Sequence, residues 1–132
     1  MADTVTTEFI FNGRRRKIVH LTSVSDGTGE TNVVKVDLSA ITFSGGETPT
    51  YSVVDMIDYD IGGMDSVRLY WDHTADDVIA ILPPGQGTVD WNALGGKVDP
   101  RSPGGTGNII LTTNGAESGG TYNITLYIRP KA

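Results

Sequence analysis

The sequence predicts one all-β domain, an antiparallel β-sandwich of jelly-roll type with about eight strands. Three observations carry that prediction. No apolar stripe at helical spacing persists over three turns. Short runs rich in Val, Ile, Thr and Tyr recur between clusters of Gly, Asp, Ser and Asn. Gly numbers 17 among 132 residues, above ordinary usage, which fits a chain full of turns. A chain of this length buries enough surface to fold as a single domain spanning 1–132, with residues 1–8 as a candidate N-terminal arm.

The expected strands are 5–11, 17–23, 31–38, 50–61, 66–72, 77–82, 108–113 and 121–129. The last is the clearest: Tyr122, Ile124, Leu126 and Ile128 alternate with Asn123, Thr125, Tyr127 and Arg129, giving one core face and one wet or interfacial face. Val67, Leu69 and Trp71 alternate in the same way with Arg68, Tyr70 and Asp72. Tyr51, Val53, Ile57, Tyr59 and Ile61 form a third apolar set, interrupted by Asp55. Asn12-Gly13, Asp26-Gly27 and Asn114-Gly115 tolerate the positive φ angles of tight hairpins. Gly62-Gly63 likewise predicts that strands 50–61 and 66–72 pair as a hairpin. Residues 83–107, with Pro83-Pro84, Gly95-Gly96 and Gly104-Gly105 around Val89, Trp91 and Leu94, read as a long Gly/Pro-rich loop, functional or interfacial.

A net charge of −6 and a pI near 4.6 oppose a nucleic-acid partner, because that binding needs Lys and Arg to neutralise phosphates. With 0 Cys there is neither a disulfide nor a thiolate metal site. No apolar stretch reaches the ~20 residues of a membrane helix, and Met1-Ala2-Asp3-Thr4 has no signal-peptide character, so no membrane role is expected and synthesis in a cytosol is.

Catalytic candidates are few. His20 and His73 are the histidines; His20 lies mid-strand opposite Val19 and Leu21, a surface position. His73 has Asp72, Asp76 and Asp77 around it, but a polar hairpin turn explains the grouping and the spacing is not that of an EF-hand. Asp58 and Asp60 share a strand face without flanking a substrate bond. Gly85-Gln86-Gly87 and Gly104-Gly105-Thr106-Gly107 lack the Lys-Ser/Thr element of a phosphate loop. The expectation is therefore a protein that is not an enzyme, with no catalytic residues, metal or cofactor.

Arg14, Arg15, Arg16 and Lys17 form the basic cluster of an otherwise acidic chain and suit an acidic protein surface. Tyr70 and Tyr127 point away from their strands' apolar sets, and Trp91 lies in the Gly/Pro stretch; these seven residues are the candidate partner contacts.

Val67-Arg68-Leu69-Tyr70-Trp71-Asp72, Leu82-Pro83-Pro84-Gly85 and Gly104-Gly105-Thr106-Gly107-Asn108-Ile109-Ile110-Leu111-Thr112-Thr113, in a short acidic Cys-free chain, resemble small virion proteins of tailed bacteriophages, and among them capsid decoration, or cement, proteins. The resemblance implies a β-sandwich or jelly roll, often a homotrimer, bound on the virion to the phage major capsid protein and stabilising the outer lattice. It also implies that the first residues and the 14–17 cluster touch the shell. A carbohydrate-binding sandwich using Trp91, Tyr70 and the 72–77 turn is the alternative, together with a phage tail or head-closure component.

Overall fold

The computed structural model describes residues 4–12, 16–27, 29–41 and 48–131. The strands are β1 (Thr4–Asn12), β2 (Lys17–Asp26), β3 (Val33–Val36), β4 (Tyr51–Gly62), β5 (Ser66–Trp71), β6 (Asp77–Leu82), β7 (Gly85–Asp90), β8 (Lys97–Val98), β9 (Ile109–Asn114) and β10 (Ser118–Lys131). They form an antiparallel jelly-roll sandwich. One sheet runs β1-β2-β10-β4-β7, with β8 also paired to β4, and the other runs β3-β9-β5-β6. Burial follows the alternation the sequence shows. Leu21, Ile57, Ile124 and Leu126 of the first sheet face Val67, Leu69, Trp71 and Leu111 of the second, all 0 % exposed. This is the core that the hydrophobic effect and close packing hold together.

Four expectations need correction or restatement. First, β4 and β5 do not pair: β4 bonds to β10, β7 and β8, and β5 to β6 and β9. The Gly62-Gly63 link crosses between sheets. Gly63 has φ 72°, and a Cβ there would press on the Gly120 backbone where β10 begins, so the chain leaves its sheet at a contact only glycine permits. Asp26-Gly27 and Asn114-Gly115 also sit at sheet crossings, whereas β1 and β2 do pair, down to Asn12 opposite Lys17. Alternating strands have the same pattern whether the next strand lies beside them or across the core, so the pattern cannot distinguish the two.

Second, 83–107 is not a structureless loop. It contains β7 and β8, both on β4. β7 reads Gly-Gln-Gly-Thr-Val-Asp; with one apolar side chain it has no alternation to detect, and backbone hydrogen bonds to β4 place it.

Third, the apolar set of β4 is not one face. Tyr127 pairs with Met56 and Ile128 with Val54, leaving Asp55 as the extra residue of a β-bulge. The phase flips there: Ser52 and Val54, then Ile57 and Ile61, are buried toward the core, while Val53 lies on the outer side beneath Gly96. Fourth, of the candidate arm at 1–8, residues 1–3 lie outside the described residues, and Thr4 to Glu8 lie opposite Val24 to His20 in the edge strand of the six-stranded sheet.

Candidate functional site

The predicted partner contacts fall on two sheets. Arg14 and Arg15 lie outside the described residues. Arg16 is exposed and Lys17 mostly buried, with burial lowering the pKa of its ammonium group. These two and Tyr127 line one hollow with Ile18, Asp55 and Asn92. The Tyr127 hydroxyl donates to Asp58 Oδ2 at 3.3 Å; burial, and then the Asp58 charge, push its pKa up. Trp91 is part-buried against the core margin, with Lys97 Nζ 5.3 Å from its ring centroid. Tyr70 belongs to the other sheet and joins none of them.

Tyr70 instead centres an apolar row on the outer face of the four-stranded sheet. Val34 lies opposite Ile110, Ile110 opposite Tyr70, and Tyr70 opposite Val78, one residue from each strand. The next row carries Thr112, Arg68 and Ile81. Val34, Val78 and Ile81 are 48 %, 46 % and 56 % exposed, so three large aliphatic side chains meet solvent on one side of one sheet.

The outer face of the six-stranded sheet is different in kind. An open groove of about 550 Å³ is lined by polar groups, among them His20, Asp58, Asp60, Gln86, Thr88 and Asn123. His20 Nε2 donates to Asn123 Oδ1 at 2.6 Å, and the Thr88 hydroxyl to Asp58 Oδ1 at 2.8 Å.

The β5–β6 turn holds a buried cluster. The His73 backbone N–H donates to Asp76 Oδ1 at 3.1 Å, which shapes the turn. Asp72 Oδ2 accepts from the Thr106 hydroxyl, so neither of these carboxylates serves the imidazole. The imidazole meets Asp99, from the segment after β8, and Asp77, the first residue of β6. Asp99 Oδ1 is 2.8 Å and Asp77 Oδ2 3.7 Å from His73 Nε2. On the other side of the ring, Nδ1 donates to the Gly104 carbonyl at 2.9 Å. The 99–107 segment is clamped on the turn by Thr74 N–H to Pro103 O and Gly107 N–H to Asp72 O. Gly105, at φ 73°, lies so close to the Asp72-His73 backbone that a Cβ would overlap it. Burial acts to lower the His73 pKa. The Gly104 hydrogen bond, the Asp99 hydrogen bond and the charges of Asp99 and Asp77 outweigh it and raise the pKa.

The sequence singled out His73 and its turn but not Asp99. Asp99-Pro100 sits 26 positions away in a Gly/Pro stretch, with no spacing rule that links it to the turn.

No family model matches the chain, and no curated protein does. Among solved structures, an RmlC-like cupin protein from Desulfovibrio desulfuricans is similar: 12 % identity, 97 % of this chain and 84 % of that chain covered, TM-score 0.38. The expectation that this chain is not an enzyme is withdrawn on the geometry of the β5–β6 turn. The expectation rested on the absence of local motifs, and such a test cannot register groups like His73 and Asp99 that only folding brings together.

Proposed function

We propose that the chain works by docking, as a structural virion protein of the capsid-decoration kind whose copies meet through the outer face of the four-stranded sheet. The observation that carries the reading is the in-register row Val34, Ile110, Tyr70 and Val78, with Ile81 beside it. The exposed Val34, Val78 and Ile81 on the two edge strands of that sheet gain by burial roughly 25 cal/mol per Å2 of apolar surface covered, and the half-buried Tyr70 between them is the residue type that anchors interfaces. Charge distribution supports a second copy as the occupant. At a net charge of −6 copies repel, but these two rows carry one ionisable charge, Arg68, while Asp58 and Asp60 lie on the opposite outer face. Such an oligomer, repeated over a closed lattice of major capsid protein, stabilises it by multivalency without tight single-site binding. The exposed Arg16 end is the natural contact with the shell.

The test is solution mass by light scattering, compared with the 14.1 kDa of one chain. The expected result is an oligomer that Val78→Lys/Ile81→Glu converts to a monomer with an unchanged circular dichroism spectrum. A monomeric wild-type chain at high concentration overturns the self-docking part.

The polar groove on the six-stranded sheet favours a second reading, carbohydrate binding. It rests on Asp58, Asp60, Gln86 and Asn123 rather than on Trp91, which follows β7 of this sheet, and Tyr70, which belongs to the other sheet. Titration with a glycan panel, using Asp60→Ala as the knockout, decides it.

A further inference from the structure

We propose that His73, Asp77 and Asp99 form a binding site for a divalent transition-metal ion of zinc-like preference. One ligand atom from each lies within 4.8 Å of the others. A tetrahedral ion with bonds of about 2.0–2.2 Å places its ligand atoms roughly 3.3–3.6 Å apart. The observed separations from His73 Nε2, 2.8 Å to Asp99 and 3.7 Å to Asp77, bracket that spacing, so small side-chain adjustments admit an ion.

The tautomer is suited to ligation. The Gly104 carbonyl can only accept, so Nδ1 carries the proton and Nε2 is the nitrogen turned toward the two carboxylates. A backbone carbonyl holding the distal N–H is the usual outer support of a metal-ligating imidazole. The carboxylates are supported too: Arg101 N–H donates to Asp99 Oδ1 at 2.8 Å and the Ser102 hydroxyl to Asp77 Oδ1 at 3.1 Å.

A second observation favours a cation here. The Asp99 side chain is 0 % exposed, yet its Oδ2 has no hydrogen-bond partner, and Asp77 Oδ2, facing Nε2, is also buried without one. Burying a carboxylate oxygen without a hydrogen bond is costly even where the other oxygen of the group is paired. Even a protonated His73 leaves two carboxylates with one positive charge, whereas a divalent ion with neutral imidazole brings the group to zero. One nitrogen and two carboxylate ligands are too few and too mixed for calcium or magnesium, which take six or more oxygens, and suit zinc or cobalt with a water completing the shell. The site shares no residue with the docking rows, although Asp77 directly precedes Val78 in β6.

The experiment titrates the full chain, stripped with EDTA, with Co(II) at about pH 7.5, in a buffer that takes up the proton that ligation releases. Visible d–d absorption is read, followed by displacement with Zn(II) and by calorimetry. One Co(II) per chain, displaced by one Zn(II), is expected. Asp77→Asn, at a position that retains solvent contact, is expected to weaken binding by about 10–100-fold, with unchanged circular dichroism. Asp72→Asn in the same turn is expected to bind as wild type. Absence of a d–d band and of one-to-one heat in the wild-type chain overturns the site, as does an Asp77→Asn chain that binds equally well.

Discussion

Asp99 and His73, 26 residues apart, form a 2.8 Å contact that ties the segment after β8 to the β5–β6 turn, with the Asp99 side chain wholly buried. In the metal-free protein this pairing makes stability depend on pH. The folded-state pKa of His73 is raised above its ordinary 6.5, so its contribution is fully present below the unfolded value and disappears as pH rises through the folded one. In chelator, the advantage of wild type over His73→Gln in urea denaturation should be larger at about pH 5.5 than at about pH 8.5. An equal advantage at both would mean the ring does not titrate against Asp99.

Ser52 and Trp71 link the two sheets across the core: Trp71 Nε1–H donates to Ser52 Oγ at 3.1 Å, and both residues are 0 % exposed. Ser52→Ala leaves the indole N–H buried without an acceptor and should destabilise the fold by about 1–3 kcal/mol. Combined with Trp71→Phe, it should cost less than the sum of the single changes, because the second removes the orphaned donor. Urea midpoints of the four chains test the cycle.

Glu30 receives two buried partners, Lys35 Nζ at 2.6 Å and the Tyr122 hydroxyl at 2.5 Å. Lys35→Met strands the carboxylate in the interior and should cost about 3–5 kcal/mol. Lys35→Met with Glu30→Gln should recover most of that loss, since the desolvated charge goes with the pair. Thermal melts of the two variants separate these outcomes.

Arg129 grips the β4 bulge. Its Nε and Nη2 donate to the Asp55 carboxylate at 2.8–3.1 Å, and Nη2 also reaches the Gly95 carbonyl at 2.6 Å. The Asp55 hydrogen bond chiefly raises the Arg129 pKa, against the effect of burial. Arg129→Lys keeps the charge but loses the planar fork, and should destabilise by about 1–2 kcal/mol. Amide exchange around β8 should accelerate more than in β2, because Gly95 is released with it.

What the sequence determined by itself is the class of fold and most of the strands. Alternation in β5 and β10 named the buried Val67, Leu69, Trp71, Tyr122, Ile124, Leu126 and Ile128, since a period of two shows directly which face is apolar. Tertiary structure alone decided the rest. Whether Gly62-Gly63 turns back or crosses the sandwich depends on which strand bonds to β4, and β10, nearly sixty positions away, occupies that place. The bulge at Asp55 appears only against β10, where one residue has no opposite number. The apolar outer row and the His73, Asp77 and Asp99 cluster are likewise products of register and loop closure. Neighbours in space chosen by long-range pairing leave no local pattern in the chain, so the residues were legible singly and their company was not.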